Sequence, residues 1–522
     1  MEEPNITPSF TGDIPTVEEE IISNCVIHFR PKSNWDGSKY GFDWVRIGDS
    51  GMDADKHSIN HHYANLMGKY YGFGKIDTTV NIGPKPSVIK TERHGVCDDP
   101  NSWEKTTLGH PATFRHEIAL YRDFVSRYFP KRLIISWKKG LPSICPSGMD
   151  NDIKTEIDKT QFTYFVPVMT LIQDKTANLK MRCELNPSDP PPTKIEIFEK
   201  LEVGEEPCFE FLNGTEKKDN PENNKKYDLD IKCIDTFSED KLIEAYATYP
   251  DGSKKLCGQL RVLANNEVLK FCVLFIKVGL KVDGSWERAN LSNAEKTQME
   301  NIFNQAMIEV ISPPTVEFDI TPTTPPAGID SRITNLLESH SGSDKFFPKR
   351  NGISDRAGGM INGAFEGHLR NIGQYERFSN YMFIHNVNIK AQNPLPDNKF
   401  DQTNGFTAVS NGVIVLFLGH EAETLPHEMM HVVGLPHTYT GKETESNAEY
   451  TWKARTTDNI LDYSHQLTPA ISRVTTWRWQ WQKARSFVRR QTRKENNRVM
   501  KESMEKLKAA MKPNMPNLKS QL

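Results

Sequence analysis

Cysteine is absent from the last 250 residues of this 522-residue chain; all eight lie between Cys25 and Cys272. Their spacing is irregular and includes no C-x-x-C, which in so long a chain favours buried or free thiols over a disulfide framework. Long apolar runs are absent as well. Nothing approaches the roughly 20 apolar residues that span a bilayer, so no membrane segment is expected. The opening stretch "MEEPNITPSFTGDIPTVEEE" is acidic and lacks the charged-then-apolar pattern of a secretory signal. A soluble chain is expected, either cytoplasmic or exported by a route that needs no such signal. A strong net charge is also missing: the total is −3, which selects no nucleic acid. The imbalance is local. From Trp477 to Leu522 thirteen Lys/Arg stand against three Asp/Glu, and residues 483–522 read as a basic, solvated C-terminal helix and tail.

What is present supports real cores: 37% of residues are hydrophobic and 26 are Phe. The length allows about three domains. Residues 1–160 mix short apolar runs ("CVIHFR", "YGFDWVRIG") with a helix expected in "PATFRHEIALYRDFVSRYF", an N-terminal α+β or mixed domain of unnamed fold. Residues 161–265 alternate in the manner of strands separated by turns. "FTYFVPVMTLI", "LKMRCEL", "KIEIFEKL", "CFEFL", "YDLDIKCI", "LIEAYATY" and "LCGQLRVLA" make seven, which suits an immunoglobulin-like β-sandwich. From 266 to 482 the order is mixed. "VLKFCVLFIKVGL" reads as a buried strand, and "SNAEKTQMENIFNQAMIEV" as a helix capped by Ser292 with Ile302, Phe303, Ala306 and Met307 on its apolar face. Strand "TVEFDI", a weak helix near Ile333, and strands "YMFIHNVNI" and "NGVIVLFLG" follow. This is an α+β layout, with the last strand expected at the sheet edge.

The chemistry concentrates in "LPHEMMHVVGLPHTY". A helix places His427 and His431 on one face, one turn apart. Gly434 follows three residues later, where a helix can stop through a left-handed residue. The chain can then turn back and present His437 from outside the helix. Three imidazoles occupy three corners of a tetrahedron and leave the fourth for water, the arrangement of a catalytic Zn²⁺ site. Glu428 points about a quarter-turn away from the ligand face. It can take a proton from a water that the metal has acidified without binding the metal itself.

The spacing H-E-x-x-H-x-x-G-x-x-H resembles the metzincin zinc-peptidase signature. "HEMMHVVGLPHTY" is most similar to pappalysin- and cytophagalysin-like members. "TTDNILDYSH", Thr456 to His465, resembles the clan's Met-turn, with Leu461 where the family has Met. The resemblance implies a metzincin-like catalytic domain, with Leu461 packing beneath the ligands and Tyr463 either stabilising the reacting carbonyl or serving as a core phenol. "TTWRWQWQKAR" and "YGFDWVRIGD" resemble stretches of Bacteroidetes proteins encoded near type VI-like injection clusters, which implies a secreted effector.

The expected function is therefore zinc-dependent endopeptidase action on a protein or peptide substrate. His427, His431 and His437 are the metal ligands, Glu428 the base and "NGVIVLFLG" the strand that holds an extended peptide. The N-terminal half is expected to supply targeting, docking to a secretion-apparatus carrier, or latency. The alternative is a secreted binding or structural protein of such an apparatus with a non-catalytic zinc site. Glu428 argues against it, since a structural site has four protein ligands and needs no base. Lesser candidates are His57 with His61 as a polar helix face or a metal pair, His420 and His465 as exposed loop histidines or cleft lining, Trp477, Trp479 and Trp481 as core packing or a ligand stack, and Cys97 or Cys145 as a latency thiolate. Because every proposed catalytic residue follows Glu267, a fragment 267–522 is expected to fold alone.

Overall fold

In "FCVLFIKV" the apolar residues are continuous, as in a strand covered on both faces. A computed structural model of the chain bears this out. It describes residues 20–22, 24–46, 63–81, 86–96, 113–126, 133–135, 154–155, 163–282, 285–320, 346–348, 353–394, 400–408, 413–439, 449–466 and 470–511. The protein is mixed α/β, with several sheets and several domains.

The central sheet is ordered Ser285–Arg288, Leu269–Val282, Met382–Val387, Val413–Leu416, Gly405–Ala408, with Ile308–Ile311 and Val316–Ile320 also paired to the long strand. Leu269–Val282, Met382–Val387 and Val413–Leu416 run parallel, whereas Gly405–Ala408 runs antiparallel at the edge. Period-two geometry splits each buried strand between two cores. Val273, Phe275, Met382, Ile384, Ile414 and Leu416 face one core, with helices Asn293–Asn304, Thr424–Val432 and Arg478–Met511. Leu274, Ile276, Val278, Phe383, Val413 and Val415 face the other, under helix Ile353–Asn371 through Ile361, Phe365 and Leu369. Two expectations are corrected. "NGVIVLFLG" is an inner strand, and the edge belongs to Gly405–Ala408. The helix after Ser292 ends at Asn304, because Met307 takes φ +53° and the chain continues as strand Ile308–Ile311. Its start is as expected: Ser292 and Glu295 form a reciprocal capping box.

All seven strands expected between 161 and 265 are present, in two sheets that share one apolar core. That core does not stop at 161. Cys25–Pro31 pairs with Thr176–Leu185, and Tyr40–Asp43 pairs with Val168–Leu171, so the boundary at 160 cuts through both sheets. Separate N-terminal residues enter the core beneath the histidine helix: Tyr63, Leu66, Met67, Tyr121 and Phe124 pack with Trp452 and Trp477. Main-chain bonds reinforce this, Lys453 N to Leu66 O at 2.7 Å and Gly68 N to Thr451 O at 3.1 Å. The expected N-terminal helix is a strand, Thr113–His116, followed by helix Ile118–Ser126. The C-terminal helix likewise starts at Arg478, inside the core, with Trp479, Trp481, Ala484 and Val488 buried; 482/483 is no boundary. The physical reason is shared. Each segment is too short to bury its own apolar face and completes a core built by distant chain.

Among the described residues, Cys25, Cys183, Cys208, Cys233 and Cys257 are buried free thiols. No helix among the described residues is long and apolar enough to cross a membrane.

Candidate metal centre

Helix Thr424–Val432 carries His427 and His431 on one face. It ends in a Schellman motif: Gly434 N donates to His431 O at 2.9 Å and Leu435 N to Met430 O at 3.1 Å, with Gly434 at φ +88°. A side chain at that φ would be strained, so glycine is what allows the reversal. The reversal brings His437 back against the helix. The three Nε2 atoms form a nearly equilateral triangle with sides of 3.1, 3.2 and 3.2 Å. Among the described residues this is the only group of three or more His, Cys, Asp or Glu whose ligand atoms converge closely enough to hold a metal ion.

The tautomers follow from the outer bonds. His427 Nδ1 lies 2.8 Å from Ile460 O, and His431 Nδ1 lies 2.7 Å from Leu435 O. A carbonyl only accepts, so both Nδ1 atoms carry a proton, which leaves Nε2 of each ring as the atom available to ligate a metal. Lone pairs this close repel unless a cation lies between them. Metal–nitrogen bonds of about 2.0–2.1 Å at tetrahedral angles place ligand nitrogens roughly 3.3–3.4 Å apart, close to the observed triangle. Burial, then the neighbouring imidazoles, then Arg473 push the pKa of His427 well below its ordinary value; burial, His431 and Arg473 do the same for His437. The neutral ring is the form that ligates. The residues present fit a metal ion.

Glu428 is half-buried and is not a member of the converging group. Its carboxylate accepts a hydrogen bond from Thr407 Oγ1 on the edge strand. The loop from Thr456 to Ser464 passes against the histidines, Ile460 giving His427 its carbonyl and Leu461 O accepting from Thr438 N at 3.4 Å. Leu461 is fully buried, as its expected supporting place requires. Tyr463 OH lies 3.1 Å from His437 Nε2, and its ring stacks on His427 with centroids 5.5 Å apart. Tyr463 is only part-buried, so its hydroxyl borders the cluster.

Several supporting residues carry no signature in the sequence. Asp462 is buried and accepts from the main-chain N–H groups of Arg455, Thr456, Thr457 and Tyr463 and from Thr457 Oγ1, which fixes the loop's shape. Burial nevertheless pushes its carboxyl pKa up, against those bonds. Arg473, also buried, ties Glu423 beside the helix start to Asp462 O. The one available signal was the two aspartates that bracket Ile460 and Leu461 in "DNILDY".

The lesser candidates separate. His420 is not an exposed loop residue: it is largely buried, with Nδ1 on Phe417 O and Nε2 on Glu295. His465 pairs loosely with Glu421 at 3.5 Å. Trp477, Trp479 and Trp481 are core residues. His57, His61, Cys97, Cys145 and Ile333 lie outside the described residues.

No protein-family model matches this chain, and no curated protein matches it. Its function is read from the site.

Proposed function

We propose that this protein is a zinc-dependent endopeptidase of metzincin type. The observation that carries the proposal is the Nε2 triangle with a carboxylate, Glu428, beside it and outside it. Three histidines with no fourth protein ligand among the described residues suit a catalytic site better than a structural one. Zinc bound there would supply a water acidified toward neutral pH and polarise the scissile carbonyl. Glu428 takes the water's proton and then delivers it to the departing nitrogen. The Tyr463 hydroxyl, beside His437, donates to the carbonyl oxygen as that atom gains charge. Among the described residues no strand pairs with the outer side of Gly405–Ala408, and an extended peptide adds there as a strand.

The bond from His427 to Ile460 O and that from His431 to Leu435 O support the reading, since such bonds orient ligand imidazoles and raise their basicity. The test is chelation. Casein or gelatin digestion by the full chain should stop when the metal is stripped and return with about one equivalent of zinc. Digestion that persists in the stripped protein contradicts the proposal.

A further inference from the structure

Gly405 and Thr407 are alternate residues of the edge strand and so share one face. That face meets the histidine helix at one side chain. Thr407 Oγ1 donates to Glu428 Oε2 and also lies 3.3 Å from the Glu428 carbonyl oxygen. Two residues earlier, a Cβ built on Gly405 would stand 2.9 Å from Glu428 Cγ, 2.9 Å from Thr424 Cγ2 and 3.3 Å from Glu428 Cδ. The strand thus leaves out a side chain where Glu428 needs room and supplies a hydroxyl where its carboxylate ends.

We infer that Thr407 is a positioning residue for the general base, holding one carboxylate oxygen of Glu428 so that the other faces the water, with Gly405 providing the space. This rests on the peptidase reading of the site. A glutamate side chain has three rotatable bonds, and on a helix beside a cleft it samples several rotamers. One hydrogen bond to a charged group restricts that sampling and keeps the carboxylate within reach of the proton it must take. The contacts of the hydroxyl are with Glu428, at its carboxylate and its carbonyl oxygen. Thr407 pairs in register with Ile414 of the inner strand, so its backbone is fixed by the sheet and only the hydroxyl is free to act.

The role predicts a specific pattern of loss. Thr407→Val keeps the shape and the β-branched strand preference but removes the donor. Its kcat should fall about ten- to a hundredfold while KM stays within about twofold, the signature of an interaction that serves the reaction step and not binding. Thr407→Ser restores the donor and should return kcat to within about threefold of the parent. Gly405→Ala should lower kcat in the same direction by displacing Glu428.

The deciding experiment is a set of zinc-loaded crystal structures of the parent, Thr407→Val and Thr407→Ser, with zinc content and kcat and KM measured on the same preparations. Expected are equal zinc content, a Glu428 carboxylate bound to residue 407 in the parent and the serine variant, and a displaced carboxylate in the valine variant. A valine variant with parental kcat overturns the inference, as does one whose Glu428 has not moved, or a serine variant as slow as valine. If the zinc-loaded parent cleaves no peptide, the peptidase reading fails on its own. The carboxylate's position in the three structures still decides whether Thr407 holds it.

Discussion

Arg46 reaches Asp458 across 412 positions of chain, its Nη2 3.0 and 3.2 Å from the two carboxylate oxygens, with side chains 6% and 3% exposed. The guanidinium also lies on the Trp44 ring, 3.2 Å from its centroid. Asp458 stands two residues before Ile460, whose carbonyl orients His427. The N-terminal part of the chain is thereby braced against the loop that supports the first histidine.

Removing one side of that pair should be costly. Arg46→Met leaves a buried carboxylate uncompensated, which costs about 3–5 kcal/mol. Zinc affinity should fall about tenfold, because the carbonyl behind His427 loses its support. Adding Asp458→Asn should recover part of the stability. Chemical denaturation and a competitive zinc titration measure both effects, and a single variant as stable as the parent contradicts the brace.

The same packing decides the fate of a fragment. The chain from Glu267 onward contains every candidate catalytic residue, yet it lacks Tyr63, Leu66, Met67, Tyr121 and Phe124 of the core beneath the histidine helix. The fragment should show no cooperative thermal transition by circular dichroism and should bind zinc weakly. A fragment that melts like the parent would show that these N-terminal contacts are dispensable.

Acid should destabilise the metal-free protein. Burial holds His427 and His437 well below the ordinary 6.5, and His385 at about 3. In the unfolded chain each takes a proton near 6.5, so between the folded and unfolded values the unfolded state binds more protons. Stability then rises with pH through that window and is lost as pH falls below about 6.5. His420 works in the opposite sense: burial opposes its proton, but Glu295 and Phe417 O outweigh burial and raise its pKa. Its contribution is present below 6.5 and lost as pH rises through the raised value. Burial lowers His465 in the same way, so four histidines oppose one, and the melting temperature in chelator should drop from pH 7 to pH 5. A flat profile would mean that the histidines are not buried neutral.

The site was legible because its residues are local. Ligand spacing, the helix-stopping Gly434 and the proposed base Glu428 all fall within eleven positions, where helix geometry alone predicts convergence. The apolar alternation between 161 and 265 was legible for the same reason. What the sequence did not reveal depends on distant pairing. Nothing near Cys25–Pro31 marks Thr176–Leu185 as its neighbour. Gly405–Ala408 is four residues with a glycine and an alanine, so the stronger run beside it drew the edge assignment. Helix Ile353–Asn371 was hidden by Gly358, Gly359, Gly363 and Gly367, which lower intrinsic helix preference and are outweighed here by packing of Ile361, Phe365 and Leu369.

Leu461 tests the loop beneath the histidines. It is fully buried, so Leu461→Met, a volume-conserving swap, should cost less than about 1.5 kcal/mol and leave zinc binding unchanged. Leu461→Asp places a charge in an apolar core and should both destabilise the fold and loosen the metal. Melting temperature and zinc retention on dialysis report the two. Unaltered zinc retention in the aspartate variant would show that the loop does not support the site.

The most direct test compares the parent with Glu428→Gln for zinc content and peptide hydrolysis in the same preparations. Both proteins should hold about one zinc per chain, because the three histidines are untouched, while hydrolysis by the variant falls by about a hundredfold or more, the scale of general-base catalysis. Loss of zinc from the variant, or hydrolysis at the parental rate with zinc retained, would contradict the assignment of Glu428 as a base beside a three-histidine zinc site.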